Sequence, residues 1–434
     1  LKLGLCVKRR VVEAAALDGQ DVVVATIARG SDWTADCGAA LDQLAAEGVE
    51  IRDAERITVA VDLVAEGIAD GLERVALVRL SLPEGRFEEP LIEWPEGLRE
   101  RVLAGWFVAH GGHEIDGREI TPLDKEELQH LAGEVRALGV KGVVVNSPFS
   151  PVYPEHELEA KALFEKVLEG VRVYAAHEVG DLGLPYRENA AMLNAAVALQ
   201  VGRRLRALEQ GLRGRGIRAT LYLLQNTGLA ATPESINRYP VRTLLAPVAA
   251  GILGLKTGRG VVAIDLDGEV NFATGVGGLP EVADMIEVPG QDFLVNTGGP
   301  LTLRLKPDLP AEFYRRGVEA LLGTLPGGEA YALTDEAEEL LSRAGVKVKR
   351  PRHRRGVGAL GAALAGLGLR LVRIFPPGVK SEEAEAAVRE DLARGADTLG
   401  IVNYRVEVEA KPLTTLPHGA SRYVGVLREE APSG

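Results

Sequence analysis

The 434-residue chain is 46% apolar and 26% charged, with a net charge of −12: the composition of a globular protein long enough for two or three domains. That acidity excludes a nucleic-acid surface and a polybasic membrane contact, both of which need concentrated positive charge. Cys6 and Cys37 are its only cysteines, too few for a disulfide framework or a cysteine-based zinc site. No signal-peptide pattern opens the sequence. The most apolar run, Val357 to Leu369, falls short of the ~18 residues that span a bilayer. The expectation is a reducing, cytoplasmic setting, with that run forming a tightly packed helix.

In chain order, residues 1–30 read as a β-meander. Apolar strands 3–7 and 11–17 are followed by an Asp18-Gly19-Gln20 turn and a third strand over 22–28, Asp-Gly being a strong hairpin signal. Thr34 to Glu47 has helical periodicity, and Glu73 to Leu80 reads as a strand. Helix 125–138, strand 141–146, helix 155–168 and strand 172–176 then alternate, which predicts an α/β sheet, parallel in part. A long helix is expected from Tyr186 to about Gly211, then strand 219–225 and helix 232–239. A second hairpin begins at Val261 and runs to Phe272. Residues 310–345 read as helical, and 381–427 as a closing αβ segment. The two hairpins are the one sign of internal symmetry: each is an apolar strand, a short polar turn and a second apolar strand.

Several phrases, in order, resemble the hydantoinase A/5-oxoprolinase family. Gly111-Gly112-His113-Glu114-Ile115-Asp116-Gly117, with Pro122-Leu123-Asp124, is similar to its "GGHxxDG…PLD" segment. Asn146-Ser147-Pro148-Phe149-Ser150, with Pro154-Glu155-His156-Glu157, resembles "FS…PxHE". Tyr186-Arg187-Glu188-Asn189, with Leu193-Asn194-Ala195, looks like "YERTSTTVLNA". Leu224-Gln225-Asn226-Thr227-Gly228, with Pro240-Val241-Arg242-Thr243-Leu244-Leu245, looks like "QSNGG…PVRTLLSGPAGG". Ala393 to Asp397, with Pro412-Leu413 through Arg422, resembles the family's closing domain. The resemblance implies a two-lobed actin/sugar-kinase-like ATPase fold of the α/β class with a small C-terminal αβ domain. The implied domains are 1–178, 179–370 and 371–434.

The hairpins are where such a fold grips a nucleotide. Phosphate loops use glycine, because the backbone must approach the oxygens closely, together with a hydroxyl and a metal- or water-orienting carboxylate. Against the family's "DxGGTxTD", Cys6 stands at the first Asp, Lys8-Arg9-Arg10 at Gly-Gly-Thr and Glu13 at the last Asp. Against "DxGGTSxD", Asp265 and Gly268 match, while Asp267, Glu269 and Phe272 replace Gly, Thr and Asp. Three cationic side chains attract phosphate by charge but do not rebuild a backbone cradle. Carboxylates at 267 and 269 repel a triphosphate. Gly298-Gly299 is either a third nucleotide-contacting turn or an ordinary turn set by Pro300.

Outside the hairpins, His113 and His156 each have carboxylates beside them and are candidates for metal or acid/base work, provided the fold brings them together. His177 with Glu178 is a further candidate. Arg187 and Asn194 fit packing or capping better than substrate contact, and Cys6 fits a buried thiol better than a nucleophile.

By resemblance, the expected function is ATP-dependent opening of a cyclic amide of the hydantoin or 5-oxoproline type, or a carboxylase-subunit role, with the nucleotide chemistry weakened or lost. ATP and magnesium are the implied cofactors. Glu13 and Asp265 would be the surviving carboxylates, with Lys8, Arg9 and Arg10 as phosphate counter-charges and Gly268, Gly298 and Gly299 as cofactor contacts. His113 would be a catalytic candidate. A second, larger subunit is the implied partner, in an oligomeric assembly. The alternative is a non-catalytic relative that binds a partner subunit or a small metabolite.

Overall fold

The computed structural model describes residues 1–85, 88–180, 183–257, 259–266, 270–276, 279–280, 302–305, 308–399, 401–412 and 420–430. The chain packs as two compact units. The first is built from Leu1–Ala65 and most of 201–366, the second from Glu66–Gln200 and the described part of 367–434.

In the first unit, Lys2–Val7 and Val11–Asp18 form the predicted hairpin, and Asp21–Ala28 adds antiparallel to it. Arg56–Ala60 pairs parallel with Lys2–Val7 on the other side, and Thr220–Leu224 pairs parallel with Arg56–Ala60. Strands 2–7 and 11–18 are buried on both faces. For that reason they read as continuous apolar runs and not as alternation.

A second sheet repeats this plan. Val261–Leu266 and Val270–Val276 form the second hairpin. Leu279–Pro280 and Thr302–Leu305 pair with its outer strand, and Glu329–Ala332 runs parallel to its inner strand. The internal symmetry read from the two hairpins therefore extends to the strands flanking them.

Two short glycine- and alanine-rich helices, Ala246–Gly254 and Val357–Leu364, pack on each other; the first lies against the second sheet and the second against the first. Glycine makes this possible. A Cβ at Gly361 would sit 1.8 Å from the Ala250 carbonyl oxygen, and one at Gly4 would sit 2.0 Å from that of Ala359. Val248, Ile252, Val261, Ala263, Ala273, Leu333 and Val357 close the core around the first of these helices.

The second unit holds an all-parallel sheet in the order Leu103–His110, Val75–Ser81, Gly142–Asn146, Arg172–Ala175. Helices Lys125–Ala137 and Glu155–Val167 cover one face, burying Val78, Leu80, Leu128, Val135, Val143 and Phe164. Asp124 caps the first of these helices by accepting from the Glu126 and Glu127 N–H groups. The Asp of the Pro-Leu-Asp phrase thus has a structural role. A separate antiparallel sheet of Gly368–Phe375, Ser421–Glu429 and Tyr404–Pro412 packs on helix Ser381–Leu399.

Most predicted elements lie within a residue or two of their observed bounds. Two readings are corrected. Residues 310–345 are two helices, Ala311–Gly323 and Asp335–Arg343, with strand Glu329–Ala332 between them. The run 357–369 is helical only to Leu364, because Gly368 already starts a strand. Among the described residues no helix is long and apolar enough to cross a membrane.

Candidate functional site

The first hairpin turns at Lys8-Arg9-Arg10, closed by the bond from Lys8 N–H to the Val11 carbonyl. The Lys8 and Arg10 carbonyls are held by the Arg29 side chain and backbone N–H. The three cations separate there. Arg9 and Arg10 lie exposed, whereas Lys8 turns inward and is only 4% exposed. Its ammonium is 3.1 Å from Glu13 Oε1 and 3.6 Å from Asp265 Oδ2, and both carboxylates are buried. Burial alone would favour the neutral amine. The attraction of Asp265 and Glu13 outweighs it and holds Lys8 well above the ordinary lysine range.

Strand pairing explains why these groups meet. Glu13 stands opposite Cys6 in the first hairpin, on the face that meets helix Val357–Leu364, where Gly358 leaves room for both the Cys6 thiol and the Glu13 carboxylate. Glu13 Oε2 accepts from the backbone N–H of Gly358 (3.0 Å) and Ala359 (3.3 Å). Asp265 is the next-to-last residue of Val261–Leu266, the first strand of the second hairpin. The Cys6 thiol is buried and points toward the Pro247 carbonyl.

Among the described residues, the Lys8 ammonium leaves no open place for a magnesium ion between these two carboxylates. The cation position between Glu13 and Asp265 is filled by Lys8. The helix-start N–H groups, of the kind that hold phosphate, already hold Glu13. Gly268, Gly298 and Gly299, like Asp267 and Glu269, lie outside the described residues.

His113 lies in the second unit, among the loops at the carboxyl ends of the parallel strands, where ligands bind in open α/β sheets. Gly111 and Gly112 have φ of 153° and 86°, and a Cβ at Gly112 would lie 2.9 Å from the Leu80 carbonyl oxygen. Residues 113–119 then form a tight hairpin that turns at Asp116-Gly117 and pairs His113 with Glu119. His113 and His156 do converge, with ring centroids 4.2 Å apart and both rings buried. Together with Glu119 they offer ligand atoms within 4.8 Å of one another. The tautomer argues against a three-ligand metal site. His156 Nδ1 accepts from the Gly112 N–H at 2.9 Å, so the neutral ring carries its proton on Nε2, 3.5 Å from Glu119 Oε1. Burial, reinforced by neighbouring His113, holds His156 below its usual value, favouring that neutral form.

A second set of His110, Asp124 and Glu127 also clusters. Glu127 is bonded to the His110 backbone and ring, and Asp124 is the helix cap. His177 pairs with Glu157. Its N–H and Nδ1 both meet Glu157 Oε2, at 3.1 and 2.6 Å. Burial pushes Glu157 up, but His177 and Arg187 more than offset this and hold it below the usual carboxylate range.

Sequence reasoning missed a buried network beside this cluster. Arg79 makes a bidentate pair with Glu188 at 2.7 and 2.8 Å. Asn146 Nδ2 donates to Glu188 at 3.1 Å. Arg187 donates to Asn146 Oδ1 and the Ser147 carbonyl, and Ser147 N–H donates to Glu157. The sign was there: Arg79 interrupts the apolar run Val75–Leu80, and a charge inside such a strand implies a buried partner. Asn194 is fully buried in the same unit.

Comparison with known proteins follows the same lines. Residues 58–168 match the hydantoinase/oxoprolinase N-terminal region, and residues 187–266 match the hydantoinase/oxoprolinase family. An uncharacterized protein of Methanocaldococcus jannaschii is 24% identical over 186 residues, 41% of this chain and 27% of that protein. The match thus spans about a quarter of that curated relative's length. Two solved structures share the fold at a TM-score of 0.65, each over 99% of this chain and 88% of its own. They are a nucleotide-free acetone carboxylase (12% identical), from work on ATP-dependent acetone carboxylation, and the ATP-dependent caprolactamase of Pseudomonas jessenii (13% identical). The chain thus carries matches to both hydantoinase/oxoprolinase regions, in order, on the fold that these two structures share.

Proposed function

We propose that this chain is a family member that does not turn over ATP at the Glu13–Asp265 position and acts instead by binding a small cyclic amide of the hydantoin, 5-oxoproline or lactam type. The buried Lys8 ammonium between the two carboxylates carries the first half of this reading. It fills the cation position that nucleotide transfer needs, while Glu13 takes up the helix N–H groups. The second half is supported by what the caprolactamase is said to act on and by the cluster at the carboxyl ends of the parallel sheet. There the His156 Nε2–H and the buried His113 ring could hydrogen-bond an amide. His113 is then a ligand-contacting residue. A second subunit as partner, an oligomeric assembly and a cytoplasmic setting complete the reading.

Thermal-shift titration tests both halves. A ligand at one hundred times its dissociation constant stabilises a protein by about 2.7 kcal/mol. Millimolar Mg-ATP should leave the unfolding midpoint unchanged, and hydantoin, 5-oxoproline or caprolactam should raise it. A rise with Mg-ATP that is lost in Asp265→Asn would overturn the first half. The absence of any rise across the cyclic amides would overturn the second.

A further inference from the structure

We infer that Lys8 is a tethered replacement for a divalent cation, and that Glu13 and Asp265 form a latent oxygen-ligand metal site that opens when the lysine is removed. The inference rests on the reading that Mg-ATP is excluded here, and it adds what the position itself can bind.

The two carboxylates are placed by the fold and not by Lys8. Glu13 lies on the outer strand of the first hairpin and Asp265 on the inner strand of the second. Glu13 is further fixed by Gly358 and Ala359. Both are buried, where two neighbouring carboxylates repel unless a cation lies between them. The demand for positive charge therefore exists whatever residue occupies position 8. The lysine meets it with one point charge whose tether makes it permanent.

Without the ammonium, Glu13 Oε1 and Asp265 Oδ2 flank the space that it leaves. Hard divalent ions of the magnesium and manganese class bind in this way, through one or two carboxylates with water completing the shell. Glycine is the substitution that opens the space, because the turn bond Lys8 N–H to Val11 O is made by the backbone and survives the change.

The test is manganese binding, followed by the loss of the free-ion paramagnetic resonance signal and by thermal midpoint. The wild type should take up no Mn2+ dependent on Asp265. Lys8→Gly and Lys8→Ser should each bind one equivalent, with a midpoint that rises with MnCl2, and adding Asp265→Asn should abolish both effects. Failure of both single variants to bind Mn2+, whether they fold without it or stay unfolded at millimolar MnCl2, overturns the inference. So does wild-type Mn2+ uptake that Asp265→Asn removes. Binding of Mg-ATP to the wild type would instead sink the reading beneath it, so the two failures are distinguishable.

Discussion

Lys8, Arg9 and Arg10 carry the same charge in three successive positions, yet only Lys8 is enclosed. Nothing in the sequence ranks them, since each is a long cation in a turn. The ranking comes from which side chain continues the inward face of Lys2–Val7, the face that Gly4 and Cys6 present to helix Val357–Leu364. Glu13 and Asp265 stood out in the sequence as candidate carboxylates because they align with the resembled family's two loop motifs. That an ammonium bridges them depends on a contact between residues 8 and 265, which no local pattern encodes. Removing one partner of a buried ion pair costs about 3–5 kcal/mol, because the remaining charge is stranded. Lys8→Met keeps the length but not the charge. It should lose about that much without added metal, read as a lower urea midpoint with the slope unchanged. A loss well under 1 kcal/mol would mean that the carboxylates are hydrated.

At the level of elements, the hairpins and the alternating helices and strands of 125–176 were readable because their apolar spacing and turn residues agree. Strand Glu329–Ala332 was not, since four residues between two strongly amphipathic helices carry little pattern. Its identity comes from pairing with Val261–Leu266. The close crossing of Ala246–Gly254 and Val357–Leu364 was legible only as a run of small apolar residues. What that run does becomes clear from Gly361, which lets the helix lie against the Ala250 carbonyl, and from Gly254, where a Cβ would meet the Val357 carbonyl oxygen at 2.0 Å. Backbone cannot yield as a flexible side chain does, so even a methyl group must push the helices apart. Overpacking of this kind costs about 1–3 kcal/mol, and Gly361→Ala should reach or exceed the upper end in chemical denaturation. Gly323→Ala, where a Cβ meets nothing within 4 Å, should change stability by under about 1 kcal/mol.

For the whole molecule, the family-matched regions 58–168 and 187–266 do not coincide with the compact units. Residues 66–200 are inserted between Arg56–Ala60 and Thr220–Leu224, strands that pair directly. A linear reading cannot produce such an arrangement, because the pairing that defines the first unit skips the segment between. Each unit nevertheless has its own core: Val262, Ile264, Phe272 and Tyr314 pack in the first, Val78, Val143 and Phe164 in the second. Perturbations at sites with no shared partners add independently, and local stability follows such packed units. Lys8→Met should therefore speed hydrogen exchange in Lys2–Val7, Val11–Asp18, Val261–Leu266 and Val357–Leu364, the elements joined at the ion triad. The same variant should leave Val75–Ser81 and Gly142–Asn146 unchanged under native conditions. Equal loss of protection in both sets would mean that the two cores unfold as one cooperative body, and that charge compensation at Lys8 supports the stability of the entire chain.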